Sequence, residues 1–420
     1  MSKGMNHNSL KRLNRSIILN KIFEKQPVSR KDVALQTGLT PGVVSRFVGE
    51  LISCGIVREI GVDTSQKRSG GPNPILLSIN SGAPYIISIN IGVKILMISL
   101  VNLQAKIIDN EFHQIEENWE FESLITNIKK SMKNIESKQN INISRDVLAI
   151  GVSIGGIVHS ENGIIVWHNL KSLRNYPIKT FLEQNLGLPV FIDNIVQAMA
   201  LAEAWFGKGK DVDKFAFVYV GSIVGSAIVI DGKILNGKRN LVGQIGHNII
   251  DINGPVCSCG HNGCLEIFTS SLALVKEAKN LFISGENSLL KNYIESSEQI
   301  TIDLIVKAAD AGDSECLQML VRRGEHLGKA IAGIVNLFDP SLVILALEGN
   351  FSESEFKIIN RVYKEHVIYP DSSPAVIKRD HNIGESLIIA AASLAIQQVF
   401  SPKLSIEENI NDEVTVSLRK

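Results

Sequence analysis

The sequence has few cysteines, no net charge and no long apolar run. Five cysteines in 420 residues, three of them within eight positions, leave no disulfide framework and point to a reducing cytoplasm. Equal numbers of basic and acidic residues, 43 of each, exclude a chain that binds polyanions over its whole surface. No apolar run reaches the length of a membrane span, and the N-terminal stretch has no secretory apolar core, so no membrane partner is expected. No short-period repeat is visible. What remains suits a globular chain: 45% hydrophobic and 20% charged residues at a length expected to divide into two or three domains. Cys54 and Cys316 lie in apolar surroundings and read as core residues.

The neutral total hides an asymmetry. Residues 1–80 hold twelve Lys and Arg against five Asp and Glu, a surplus of seven that the remaining residues cancel. A basic module on an acidic body predicts a polyanion partner for the N-terminal part alone. Residues 9–24 read as a helix, and Pro27 breaks it. Ser29 is a candidate N-cap for a helix from Arg30 to Thr37 that buries Val33, Ala34 and Leu35, and Gly38 ends it. Thr40 caps a third helix, with Pro41 at its first position, running to about Ser53. Two short helices across a Gly-containing turn make a helix-turn-helix. Apparent strands at Ile56–Ile60 and Ile75–Ile79 flank a polar, Gly-rich stretch, which completes a winged helix-turn-helix over residues 1–80. The third helix would enter the major groove of a DNA operator. Candidate contacts are Thr40, Pro41, Ser45 and Arg46 on that helix, and Lys67 and Arg68 in the wing. Such proteins read paired half-sites, so a homodimer is expected, with a homotetramer left open.

After Pro84 the pattern becomes α/β. Three strands of a meander (Tyr85–Asn90, Ile95–Leu103, Ala105–Glu111) precede a helix over 121–135 and a strand at Val147–Ile154. Gly163 to Asn169 is read as continuing the sheet. A short strand, Leu188–Asp193, leads into a helix over 196–206, and Phe215 to Ile230 gives two more strands. Helices over 269–282, 301–311 and 314–337 precede the strand Leu342–Leu347. An apolar helix, Gly384–Phe400, closes the body and returns to its first half.

The densest chemistry lies between Gly243 and Glu266. Cys257, Cys259 and Cys264 follow His247, and one imidazole with three thiolates is a common tetrahedral zinc set. Gly254, Gly260 and Gly263 allow the turns that would bring the cysteines together. His261 is a rival fourth ligand, but it would close a very tight loop between Cys259 and Cys264, which favours His247. With four protein ligands the metal would be structural and would hold the loop that carries Gln244 and Glu266.

The run Gly243-Gln-Ile-Gly-His247, followed by Cys-Ser-Cys-Gly-His-Asn-Gly-Cys-Leu-Glu266, resembles the signature of the ROK family of repressors and sugar kinases. The resemblance implies an actin-like ATPase fold with Zn(2+) beside a sugar pocket. Lobe one would cover about 81–194 plus 384–400, lobe two about 195–383, and 401–420 would be a variable tail. The stretch Ser69–Pro74 resembles the linker of ROK repressors. Asn169, Asn194, Gln244, His247 and Glu266 map onto family sugar-pocket positions, with Gln244 standing where the family usually has Glu.

The departures matter as much as the matches. Ile195 falls where family kinases carry the Asp that takes a proton from the sugar hydroxyl, and isoleucine has no titratable group. Ile223 replaces a glycine of a phosphate loop, Asn90 replaces an Asp near magnesium, and Glu348 replaces the first residue of a Gly-Gly pair near adenosine. Lys94 remains as a possible anion contact. The resulting expectation is a transcription regulator, a repressor of carbohydrate-utilisation genes, that senses a sugar without phosphorylating it. Ile195 further suggests an effector that lacks one hydroxyl or carries an apolar substituent there. The alternatives are an ATP-dependent sugar kinase and a regulator that answers to a protein partner.

Overall fold

The computed structural model describes residues 7–64, 73–93, 95–115, 121–168, 171–284, 288–349, 352–369, 371, 375–380 and 383–402. Lys67, Arg68, most of the linker, Lys94, Asn169 and nearly all of the expected tail lie outside them.

Capping residues and prolines set the first three helices. His7–Lys25 ends before Pro27. Arg30–Thr37 follows Ser29, whose hydroxyl accepts the Asp32 N–H at 3.2 Å. Pro41–Ser53 follows Thr40, whose hydroxyl makes no capping bond, contrary to the sequence reading. That turn is closed instead by the Val44 N–H on the Thr40 carbonyl at 3.1 Å. Val44, Phe47, Val48 and Leu51 are buried, as the helical spacing requires. Val33 and Ala34 are buried too, but Leu35 is 81% exposed. One helical step beyond Ala34 turns it off the packed face. Val57–Val62 and Ile75–Ile79 pair antiparallel, and the short strand Val28–Ser29 adds to the second of them. The product is a winged helix.

Two five-stranded sheets form the body. In the first, Val190–Asn194, Val147–Ile154 and Tyr85–Ile91 are parallel neighbours, and Ile95–Asn102 and Ile107–Gln114 continue antiparallel. In the second, Val376–Asp380, Leu342–Leu347 and Lys214–Val220 are parallel, and Val224–Ile230 and Lys233–Ile234 continue antiparallel. Both sheets therefore share one order of parallel and antiparallel partners, the duplicated plan of an actin-like fold. Val147–Ile154 is buried at every position, as a central strand covered on both faces must be.

Several elements differ from the sequence reading. Ile164–Trp167 does not extend the first sheet; it pairs with Ile157–His159 in a separate two-stranded hairpin that follows Val147–Ile154. The helix after the cysteines is broken at Ser270 into Glu266–Thr269 and Ser271–Ser284. Among the elements not expected are Ile178–Leu186, Glu353–His366 and Val376–Asp380. Glu353–His366 packs on the long helix Ser314–Phe338, and between them the buried Arg323 and Glu355 form a two-armed ion pair at 2.5 and 2.6 Å.

Ile383–Phe400 is long and apolar enough to cross a membrane, although the sequence reading found no such run. Here Ala390–Ile396, apart from a few atoms, is withdrawn from solvent against the first sheet and the helix Ile195–Phe206. The same helix carries the winged helix. Phe23 stacks edge-on against Phe400 at 5.1 Å and Phe206 at 5.6 Å, and meets Trp205 at 5.6 Å. The Phe400 carbonyl accepts from the Ser16 hydroxyl at 2.6 Å and from the Asn20 amide at 3.0 Å. Buried residues of the winged helix and of the body thus belong to one continuous core.

Candidate functional site

The loop after the second sheet's hairpin folds back on itself twice. The Cys257 N–H bonds the His261 carbonyl at 2.8 Å, and Gly260 N–H bonds the Cys257 carbonyl at 2.9 Å. Gly263 lies in the left-handed region (φ 66°), and a Cβ there would stand 1.5 Å from the Asp251 carbonyl oxygen, so the chain can double back here only as glycine. These turns gather His247, Cys257, Cys259 and Cys264, whose ligand atoms all lie within 4.8 Å of one another. Cys257 Sγ is 3.7 Å from His247 Nδ1, and Cys259 Sγ is 3.6 Å from Cys264 Sγ. Tetrahedral zinc at ordinary bond lengths would set these S···N and S···S separations at about 3.6 and 3.8 Å. The donor set and its spacing fit zinc. His261 is exposed, with Nδ1 3.5 Å from Cys259 Sγ, and stands outside this group of four. Burial, then the neighbouring Cys259 and Cys257, pushes the Cys264 thiol up to about 12. Burial also raises Cys259, but hydrogen bonds from His261, Cys264 and Cys257 outweigh it and hold this thiol at about 6. A shared divalent cation is the usual means of deprotonating such a set together.

Beside this cluster, between the two sheets, a cleft encloses about 630 Å³ out to its mouth. Asn194, Gln244, His247 and Glu266 line it, so four of the five expected sugar-pocket residues come together; the fifth, Asn169, lies outside the described residues. Asn194 and Glu266 are anchored by hydrogen bonds to the backbone. Asn194 Oδ1 caps the helix Ile195–Phe206 by accepting the Gln197 N–H at 2.9 Å, which leaves Nδ2. Glu266 Oε2 accepts the Val224 N–H at 2.9 Å, which leaves Oε1. Burial raises the Glu266 carboxyl, against the pull of that N–H and of His247. Gly243, at φ 89°, lets the loop pass the neighbouring strand: a Cβ there would stand 1.7 Å from the Ser226 carbonyl oxygen.

Two lining residues escaped the sequence reading. Trp167 and His168 enter from the hairpin that leaves the first sheet. The Trp167 ring stands edge-on to His247 at 6.5 Å, and the Arg174 guanidinium covers it at 5.1 Å while donating to the His168 carbonyl at 2.8 Å. An aromatic at the end of an apolar strand looks like core, so only the departure of the hairpin exposes its role.

Val93, Gly155 and Ile223 also line an adjoining, larger chamber of about 1230 Å³. All four altered kinase positions, Asn90, Ile195, Ile223 and Glu348, line this second chamber. Asn90 is buried and donates to Ser153 Oγ at 2.7 Å. The Gly221 N–H bonds the Ile223 carbonyl at 2.9 Å, and a Cβ on Gly221 would meet the Tyr219 hydroxyl and Glu348 Oε2. Burial and Glu348 together raise Tyr219 well above the phenol range.

On the winged helix, Thr40, Pro41, Ser45 and Arg46 all lie exposed at the start of the third helix and along its outer face. The Arg46 guanidinium rests on the Phe47 ring at 4.5 Å and lies 3.8 Å from Glu50.

Residues 86–398 match the ROK family. A xylose repressor of Caldicellulosiruptor bescii is 33% identical over 351 residues, which cover 82% of this chain and 86% of that protein. The crystal structure of a ROK family transcriptional regulator, a homolog of the Escherichia coli MLC protein, superposes with a TM-score of 0.79 at 25% identity, covering 96% of this chain and 99% of that one. A ROK family glucokinase from Streptomyces griseus, solved with glucose and AMPPNP, superposes with a TM-score of 0.65 at 25% identity, covering 74% of this chain and 99% of its own.

Proposed function

We propose that this chain, which belongs to the ROK family, is a DNA-binding repressor of carbohydrate-utilisation genes whose body holds a structural zinc ion and binds a sugar without phosphorylating it. One observation carries the reading. The helix Ile195–Phe206 starts at Asn194 in the polar cleft and ends at Trp205 and Phe206, against Phe23 of the winged helix. Twelve residues span about 18 Å, so one rigid rod joins the cleft to the DNA-binding module.

In this reading His247, Cys257, Cys259 and Cys264 hold zinc, which supplies a cross-link and no chemistry. His247 turns Nδ1 toward Cys257 and keeps Nε2 for a sugar hydroxyl, while Glu266 Oε1 accepts from one and Asn194 Nδ2 donates to one. Gln244 completes the polar set along the cleft, the family resemblance adds Asn169 to it, and the Trp167 face can cover the apolar side of a ring. No proton is taken, because Ile195 occupies the position of the base. A sugar that hydrogen-bonds Asn194 acts on the cap of the rod. Operator affinity changes to the extent that the sugar binds the two arrangements of rod and winged helix unequally.

The third helix would read the operator through Thr40, Pro41, Ser45 and Arg46, with Lys67 and Arg68 on the backbone from the wing. Arg46 must leave Phe47 and Glu50 to do so. In this reading the protein works in the cytoplasm as a homodimer, or as a homotetramer, so that two third helices meet paired half-sites. The exposed Ile249, Ile250, Ile252, Val256 and Leu337 around the zinc-type loop supply an apolar face for self-association.

The test is operator binding by the full-length protein with and without xylose, glucose and N-acetylglucosamine, beside a coupled ATP-turnover assay. A sugar that shifts operator affinity with no ATP turnover is the expected result, and Arg46→Ala should weaken specific binding about tenfold or more. Sugar-dependent turnover at enzyme-like rates would overturn the non-catalytic reading.

A further inference from the structure

The second chamber has no occupant in the sugar reading, although it is the larger of the two. It adjoins the polar cleft, since Val93, Gly155 and Ile223 belong to the walls of both. Its own walls are mainly apolar: Ile95, Met97, Phe112, Ile195, Ile383 and Leu387. Phe112 is 57% and Ile95 48% exposed, so two large apolar side chains stand open to one cavity.

A phosphate is poorly served there. The amides of Gly92 and Gly155 on its walls, and of Gly221 next to the lining Ser222, are already bonded within the chain. Gly92 N–H is on the Ile95 carbonyl at 2.9 Å, Gly155 N–H on Ile91 at 3.3 Å and Gly221 N–H on Ile223 at 2.9 Å. Among the described lining residues there is no Lys or Arg, and the one charge is the carboxylate of Glu348, 3.5 Å from Ser222 Oγ. An anion would meet the like charge of Glu348, whereas an apolar group would cover Phe112 and Ile95.

We infer that the effector is an amphipathic glycoside, with its sugar ring in the polar cleft and an alkyl or aryl group in the apolar chamber. The inference rests on the polar cleft being the sugar site. It places Phe112, Ile195 and Ile383 as residues that set specificity, and it makes the unmodified sugar and the sugar phosphate the poorer ligands.

Calorimetry on the full-length protein compares xylose, glucose and N-acetylglucosamine with their phenyl and hexyl glycosides, with 6-O-hexanoyl glucose, and with the 6-phosphates of the two hexoses. At least one apolar derivative should bind tenfold or more tightly than its parent sugar. Phe112→Ser and Ile383→Ser, at the chamber rim, should each remove at least threefold of that gain and leave the parent sugar's affinity unchanged. Parent sugars that bind as well as every apolar derivative would overturn the inference while the sugar-sensor reading stands. So would tighter binding of a 6-phosphate. Failure of all the compounds would overturn both.

Discussion

In the polar chamber, Asn194, His247 and Glu266 each commit one polar atom to the protein and keep another for a ligand. In the apolar chamber, the amides of Gly92 and Gly155 and of the adjacent Gly221 are bonded to carbonyls of the chain, and most side chains on the walls are apolar, with Glu348 the one charge among the described residues. The two halves of one cleft have thus come apart in chemistry. Recognising a sugar needs a few anchored donors and acceptors. Transferring a phosphate needs, in addition, unpaired donors aimed at developing charge and a base of suitable pKa. The first set can persist without the second, which is the condition for a sensor that shares the fold of an enzyme.

The largest expected effect comes from breaking the scaffold of the polar half. Cys264→Ser should lose the metal, lower stability by at least about 3 kcal/mol and abolish any sugar response. Zinc analysis of protein purified without chelator, with a thermal melt of each form, checks it; wild-type protein free of zinc with its thiols reduced would sink the assignment.

Asp193 precedes Asn194 at the end of its strand, and burial pushes its carboxyl from 3.8 up to about 6, against the Asn194 N–H and the Ser160 hydroxyl. The folded state then holds this proton to a higher pH than the unfolded state does. Its contribution to stability is greatest below about pH 4 and is lost as pH rises to about 6, by at most ~3 kcal/mol at about 1.4 kcal/mol per pKa unit. Asp193→Asn should flatten that part of the stability–pH curve in urea titrations. A curve of unchanged shape would place the buried charge elsewhere.

Ile195→Asp tests whether the apolar half can be turned back. The new carboxylate would occupy a wall that is now apolar, in the same chamber as Glu348, at a cost of about 1–3 kcal/mol. Because the amides of Gly92, Gly155 and Gly221 stay paired, sugar-dependent ATP turnover should remain at background in a coupled assay. Turnover restored by this one change would show that the loops were competent and that only the base was missing.

Asn194→Ala has the smallest expected effect on stability, about 1 kcal/mol for a lost helix cap. It should nevertheless uncouple sugar from operator, measured by fluorescence anisotropy of a labelled operator. A response of undiminished size in a folded variant would remove the rod from the signalling route.

Residue chemistry alone determined much of this molecule. Ser29, Gly38 and Pro41 act on their own backbone neighbours, so the second and third helices could be placed from local rules. Three cysteines and a histidine have one common use at such spacing, and the fold brings those four together. A residue that lacks a titratable group lacks it in any fold, so Ile195 spoke for itself. Tertiary structure decided what depends on partners distant in sequence. Leu35 has the composition of a core residue, yet no element covers it. Trp167 and His168 looked like the end of a sheet strand until the hairpin turned them into the cleft. Least legible was the division of the cleft into a polar and an apolar chamber. Its walls come from both sheets and from the closing helix, and whether a glycine amide is open to a ligand depends on which carbonyl the fold brings to it.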